Sequence, residues 1–228
     1  EKKKVNELGK VFHFDLYGKR EIKYDFLSDN SLKDIDFKEL KPEKPYLFFV
    51  RRDNDKAKIY EKGFSINKLF SLNSVGMVTA RDKFCIDDNL ESLKIRVIEF
   101  SDTSKTDKEI VDKYGLKDSS TFNLTKSRIS ISKEINLNKY YQRVLYRPFD
   151  VKWIFYNNDV VERPIMKVMQ HLIQSNNLGL VTARSNKSET CDHFYISKNI
   201  METKCGERTT QSAIFPLYLY PETNAQQT

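Results

Sequence analysis

The chain has 228 residues, 39% hydrophobic and 31% charged, which is enough for an ordinary core in one compact domain or two small halves sharing an interface. Lys and Arg outnumber Asp and Glu by 39 to 32, a formal net charge of +7, and this favours an anionic partner without naming it. The composition excludes a membrane-spanning helix, because the apolar stretch 213–220 is interrupted by Pro216 and falls far short of the ~20 residues a span needs.

Residues 1–30 open with Glu1-Lys2-Lys3-Lys4, which is no signal peptide, and the lack of an initiator Met points to a piece of something larger. Residues 11–20 form a strand-like run closed by a turn at Gly18, followed by Lys23-Tyr24-Asp25-Phe26-Leu27. A duplicated pattern comes next. Gly76-x-Val78-Thr79-Ala80-Arg81 recurs as Gly179-x-Val181-Thr182-Ala183-Arg184 at an offset of 103, the difference between 179 and 76. The same offset pairs Pro45 with Pro148, Phe48 with Val151, Val50 with Trp153, Ile66 with Met169 and Leu69 with Leu172. Self-similarity of this kind predicts two diverged half-repeats, about 33–84 and 133–187, each a strand opened by Pro45 or Pro148, an amphipathic helix, an Asn turn and a strand carrying the shared tetrapeptide. The second helix is the clearer, with Pro164 in its first turn and Ile165, Val168, Met169, Leu172 and Ile173 at helical spacing. Between the copies lie a polar loop from Ser101, a short helix ending near Gly115 and a Ser/Thr-rich stretch to Ser132. Residues 215–221 read as an edge strand, since Pro216 and Pro221 interrupt and flank it. The expected class is α+β, mixed sheets with packed helices, in which residues 1–30 act as a connector and 31–228 as one specificity domain.

Chemistry is conspicuous by its missing motifs. No Gly-x-Gly occurs, which removes dinucleotide, kinase and ordinary S-adenosylmethionine loops, and no Gly-Lys-Ser/Thr cradles phosphates. Three cysteines, Cys85, Cys191 and Cys205, form no even set, in keeping with a reducing cytoplasm. Cys191-x-His193 with Cys205 lacks the fourth ligand and paired spacing of structural zinc, so no metal is assigned. His171, on the polar shoulder of the second helix, reads as structural. Asp150-Val151-Lys152 echoes half of a nuclease motif, and a metal-dependent nuclease using Asp150 and Lys152 is the alternative function; without an upstream carboxylate a structural ion pair is favoured. A protein-interaction domain with an incidental basic face is a third reading.

Several strings carry a family resemblance: Tyr146-Arg147-Pro148-Phe149-Asp150, the run from Trp153 to Tyr156, Arg163-Pro164-x-x-Lys167-Val168-Met169, Leu178-Gly179-Leu180-Val181-Thr182-Ala183-Arg184, and Phe215-Pro216-Leu217-Tyr218-Leu219-Tyr220-Pro221. Together, in this order, they resemble the C-terminal target recognition domain of type ISP and related single-chain restriction-modification enzymes, and residues 11–27 resemble the segment joining such a domain to its adenine-specific DNA methyltransferase. The resemblance implies a cytoplasmic module that reads asymmetric double-stranded DNA, with an upstream methyltransferase domain of the same chain as partner. It implies no cofactor for this fragment and S-adenosylmethionine for the parent. The chain lacks every methyltransferase, helicase and nuclease motif, so the fragment itself is expected to be non-catalytic.

On this reading the residues expected at DNA are Arg81, Lys83, Arg184, Ser185, Asn186 and Lys187. Each arginine follows an apolar strand and opens a loop, where a guanidinium can reach guanine in bidentate fashion, clamp a phosphate, or cap a core carboxylate. Arg184 and Lys187 suit phosphates, whereas Asp82-Lys83 differs from Ser185-Asn186-Lys187 and is a candidate for reading different bases. Ser185 and Asn186 stand where the copies differ, and Asn is shaped for a bidentate contact with adenine. Trp153 and Tyr156 could stack on bases, although strand alternation favours a core position for Trp153.

Overall fold

The computed structural model describes residues 9–44, 46–52, 54–174, 176–185 and 193–221. Asn186, Lys187 and Cys191 lie outside the described residues. The chain divides into two compact units, Glu1–Phe64 and Ser65–Thr228. No helix among the described residues is long and apolar enough to cross a membrane.

In the first unit, β1 (Val11–His13) pairs antiparallel with β2 (Lys38–Leu40). The helix α1 (Arg20–Asp29) takes in residues 23–27, which follow the strand-like run in the sequence. Its Phe26 stacks on Phe14 with ring centroids 5.8 Å apart, so the aromatic that looked like strand patterning anchors a helix. α2 (Asn54–Glu61) follows a segment in which Tyr46, Phe48 and Phe49 are exposed.

The second unit is α+β, built on two four-stranded sheets. Its elements are α3 (Ile66–Leu69), β3 (Ser74–Val75), α4 (Asp82–Cys85), β4 (Ile86–Asp87), α5 (Leu90–Ser101), α6 (Asp107–Tyr114), α7 (Leu124–Ser132), a 3-10 turn (Leu137–Tyr140), β5 (Tyr141–Arg147), β6 (Asp150–Phe155), α8 (Met166–Ile173), β7 (Gly179–Ala183), β8 (Phe194–Ser197), β9 (Ile200–Met201) and β10 (Ser212–Pro216). One sheet has the order β3-β10-β7-β8 and is antiparallel throughout. The other, β4-β6-β5-β9, is antiparallel except where β9 runs parallel to β5.

Local chemistry explains the helices. Asn89 caps α5 by accepting from the Ser92 amide at 3.0 Å, and Leu93, Val97 and Phe100 bury one stripe at helical spacing. Thr106 and Glu109 form a reciprocal capping box at α6, which ends at Gly115 with φ 66°. α7 lies in the stretch read as Ser/Thr-rich connection. Asn123 caps it, and Leu124, Ser127, Arg128 and Ile131 face inward, a helical period hidden because two of the four are polar. Arg128 is the buried strut of this layer, donating to the carbonyls of Phe100 (2.9 Å), Asp102 (2.6 Å) and Lys105 (2.7 Å) and pairing with Asp107. The bond to Phe100 occupies a carbonyl in the last turn of α5, and the other two tie down the loop that follows it.

The half-repeats are not duplicated structures. The second copy is strand, helix, strand as expected: β6, α8, β7. In the first, residues 46–52 carry no strand, α2 and α3 replace a single helix, and Gly76 lies outside β3 whereas Gly179 begins β7. β3 and β7 do flank β10, but Ala213 faces Val75 on one side and Thr182 on the other, an offset of 107 (182 less 75) in place of 103. The shared tetrapeptide therefore diverges within itself. Ala80 turns left-handed at φ 56° and Arg81 is the N-cap residue of α4, whereas Ala183 stays extended and its amide bonds the His193 carbonyl at 3.2 Å. β10 also departs from expectation, since it is an interior strand ending at Pro216. Pro216 lies past Ala213 and Ile214, the two residues that pair with β3, so β10 has a strand neighbour on one side only at that point, as prolines in sheets require.

Candidate nucleic-acid interface

Arg81 is turned into the fold. Its Nε donates to the Val160 carbonyl at 2.8 Å, Nη2 pairs with Glu162 at 3.1 Å, and the guanidinium lies 4.0 Å from the centroid of the Phe122 ring. The Thr121 hydroxyl, and after it Arg81, holds the Glu162 carboxyl below its ordinary range. With its donors engaged internally, Arg81 does not project from the surface as a DNA contact, and the carboxylate-capping reading describes it. Asp82 accepts from the Tyr146 hydroxyl at 2.8 Å and from Thr79, while the Lys83 side chain is exposed on α4.

Arg184 has the opposite setting. It is exposed just beyond β7, its amide donates to the Gln211 carbonyl at 2.9 Å, and Nη1 reaches the Gln211 side-chain oxygen at 3.2 Å. Ser185 beside it is exposed. These bonds tie the end of β7 to the start of β10, so the loop between β9 and β10 arrives at the same place. Ser212 closes that loop: its amide donates to the Thr203 carbonyl at 2.7 Å and its hydroxyl accepts from the Gly206 amide at 3.0 Å. Lys204 and Arg208, on the loop, are exposed with no ion-pair partner among the described residues.

The turn between β5 and β6 reaches this end too. Arg147 pairs with Glu202 at 2.7 Å, and the same carboxylate oxygen accepts the Lys204 amide at 2.7 Å. Burial pushes the Glu202 carboxyl above its ordinary value, against the pull of the Lys204 amide and Arg147. Past Arg147, Phe149 is 90% exposed at φ 61° and meets the Tyr195 ring edge-on at 5.7 Å. This end of unit two thus brings together free cations, an amide, hydroxyls and exposed aromatic side chains, Phe149 and Phe194. That combination suits an anion that carries flat, hydrogen-bonding groups. Lys204, Arg208, Gln211 and Phe149 were not singled out from sequence as DNA contacts; the usable signal was a polar loop carrying Lys204, Arg208 and Gln211 that runs directly into the strand at 212–216.

The rival constellations do not form sites. Lys152 Nζ lies 3.1 Å from Asp88 and 3.8 Å from Asp150, the arrangement of an ion pair between β6 and the residue that follows β4, and no group of three His, Cys, Asp or Glu among the described residues is placed to hold a metal. Tyr156 is buried and donates to the Pro164 carbonyl, so it offers no stacking face. Trp153 is partly buried, with the Arg143 guanidinium 4.8 Å from its ring. Buried His171 accepts the Tyr220 amide on Nδ1 at 3.1 Å, a structural tie between α8 and the C-terminal segment.

Similarity to known proteins follows this geometry. A profile of the Type ISP C-terminal specificity domain matches residues 68–228. The chain belongs to the Type ISP C-terminal specificity domain family. Among solved structures, the fold resembles a DrdV–DNA complex (TM-score 0.55, 14% identity, 92% of this chain and 22% of that one). It also resembles a nuclease-deletion mutant of the Type ISP restriction-modification enzyme LlaGI with a DNA substrate mimic (TM-score 0.57, 19% identity, 96% and 19%). A third likeness is to the ATP-dependent Type ISP enzyme LlaBIII bound to DNA (TM-score 0.57, 17% identity, 84% and 13%). The chain spans about a fifth of the length of the first two structures. A comparison with curated proteins gives no match.

Proposed function

We propose that this chain is the DNA-reading module of a restriction-modification enzyme, recognising an asymmetric double-stranded site while other domains of a longer protein do the chemistry. The observation that carries it is the convergence of Arg184, Lys204, Arg208 and Gln211 at one end of a domain of the Type ISP specificity family. That three solved proteins of similar fold are DNA complexes supports the reading. The exposed cations bind phosphates and set register, while Gln211, Ser185 and Asn186 are the groups suited to base edges. Lys83 contributes a flanking phosphate contact. The partner is an upstream, adenine-specific methyltransferase domain that draws on S-adenosylmethionine, acting in the cytoplasm, and the segment 1–30 is its connector.

The test is fluorescence anisotropy of the 228-residue chain on a labelled random-sequence duplex pool, followed by selection of bound sequences and titration of a selected site and its single-base variants at two salt concentrations. Affinity should fall steeply with salt, and Asn186→Ala should erode discrimination at one base pair by about 1–3 kcal/mol while non-specific affinity holds. No binding at low salt would overturn the proposal.

A further inference from the structure

Phe149 sits in a conformation that its own chemistry opposes. Arg147 pairs with Asp150 across the strands, so Pro148 and Phe149 form the two-residue tip of the β5–β6 hairpin. Pro148 presets its own backbone angle, and the residue after it takes φ 61°, a position at which turns place Gly or Asn. Of the four non-glycine residues with positive φ among the described residues, Phe149 is the one that carries an aromatic ring.

Strain of this kind persists when something else requires the side chain. The core does not require it, since the ring is 90% exposed and its recorded ring contact is the edge of Tyr195. The backbone beneath is fixed all the same: Arg147 is anchored to Glu202, and Tyr146 to Asp82. Tyr195 in turn borders the β9–β10 loop, for a Cβ at Gly206 would lie 3.5 Å from its ring. A rigid hairpin therefore holds a bare aromatic ring beside a loop whose exposed side chains are Lys204, Arg208 and Thr209. Phe194 and Ile196 are also exposed on β8 but alternate with Tyr195 and so lie on the other face of that strand. A single ring bordered by cations does not make the contiguous apolar patch that a protein partner buries and suits a base stack bordered by phosphates.

We propose that Phe149 is a stacking wedge that enters a base step of bound double-stranded DNA, with Arg184, Lys204 and Arg208 holding the flanking phosphates; this rests on the DNA-reading function above. The wedge separates two stacked base pairs and replaces their lost contact with its own ring. It reads how readily a step opens, so it adds specificity for flexible steps without a hydrogen bond.

The experiment compares the full chain with Phe149→Ala, Phe149→Asn and Phe149→Tyr on a duplex selected by the wild-type chain, with 2-aminopurine placed at each adenine in turn. Expected are about a tenfold loss of affinity for the Ala and Asn variants, near-complete retention for Tyr, and a rise in 2-aminopurine emission at one step that those two variants abolish. The thermal midpoint of Phe149→Asn should stay level or rise, because Asn accepts the left-handed backbone. Unchanged DNA affinity in all three variants overturns the wedge, as does an affinity loss that only follows a fall in thermal midpoint. Loss of self-association with intact DNA binding would also overturn it and make the ring a protein contact. If the wild-type chain binds no duplex, the failure lies with the DNA-reading function, which is a different result.

Discussion

The guanidinium of Arg81 has a carbonyl, a carboxylate and an aromatic face as partners within the fold, whereas that of Arg184 has the side chain of Gln211 at the surface. Removing one member of a mostly buried, hydrogen-bonded pair leaves Glu162 short of its partner, so Arg81→Ala should lower unfolding stability by about 2–4 kcal/mol. Arg184→Ala should change it by no more than about 0.5 kcal/mol, while weakening binding to every duplex and flattening the log-log salt slope by about one. Urea titration with parallel anisotropy separates the two, and an equal stability loss for both variants would contradict the assignment. Acid response is also set residue by residue. Hydrogen bonds from Lys113, then Tyr114, with Lys105 beside them, hold Glu99 down to about 2 from its ordinary 4.5. A depressed folded-state pKa means that its stabilisation is present above about pH 4.5 and is lost as pH falls towards 2. Thermal midpoints across that window should drop less steeply for Glu99→Gln than for the wild-type chain.

At the scale of elements, the two glycines of the repeated string show why identical letters part company. A Cβ at Gly76 would sit 2.6 Å from the backbone of Glu202 and Thr203, and one at Gly179 would sit 2.8 Å from the side-chain tip of Ile214. Backbone cannot yield as a side chain can, so Gly76→Ala should cost about 3 kcal/mol or more and Gly179→Ala about 1 kcal/mol; similar midpoints in a denaturant series would refute the ranking. Each glycine permits a close approach, but to different neighbours, and a sequence comparison sees only the shared need for no side chain. The elements legible from sequence were those whose signal is local: the apolar stripe of α8, the left-handed Gly115 after α6, and the strands flanking α8. Those missed depend on tertiary contacts. α7 buries Ser127 and Arg128 because Asp159 and the end of α5 receive their bonds, and residues 46–52 share apolar letters with β6 without pairing as a strand.

At the scale of the whole molecule, the site was half legible for the same reason. Arg184 and Ser185 could be named because they end a recognisable strand, whereas Lys204, Arg208 and Gln211 lie some twenty or more positions onward and join them only through the β7–β10 pairing. All of these residues, both four-stranded sheets and the buried core belong to the unit Ser65–Thr228, and the family match starts within it at residue 68. Folding and DNA reading should therefore both survive removal of residues 1–64. A chain starting at Ser65 should melt in one cooperative transition and keep its affinity for a selected duplex within about threefold, since every contact argued for recognition is retained. Three phosphate contacts, from Arg184, Lys204 and Arg208, set a log-log salt slope of at least roughly −2.7 in magnitude, at about −0.9 for each. Anisotropy of the shortened and full chains across a salt series reads both quantities. A broad, non-cooperative melt would mean that the second unit does not fold by itself, whereas a cooperative melt with a slope near zero would remove these cations from the DNA surface while leaving the fold intact.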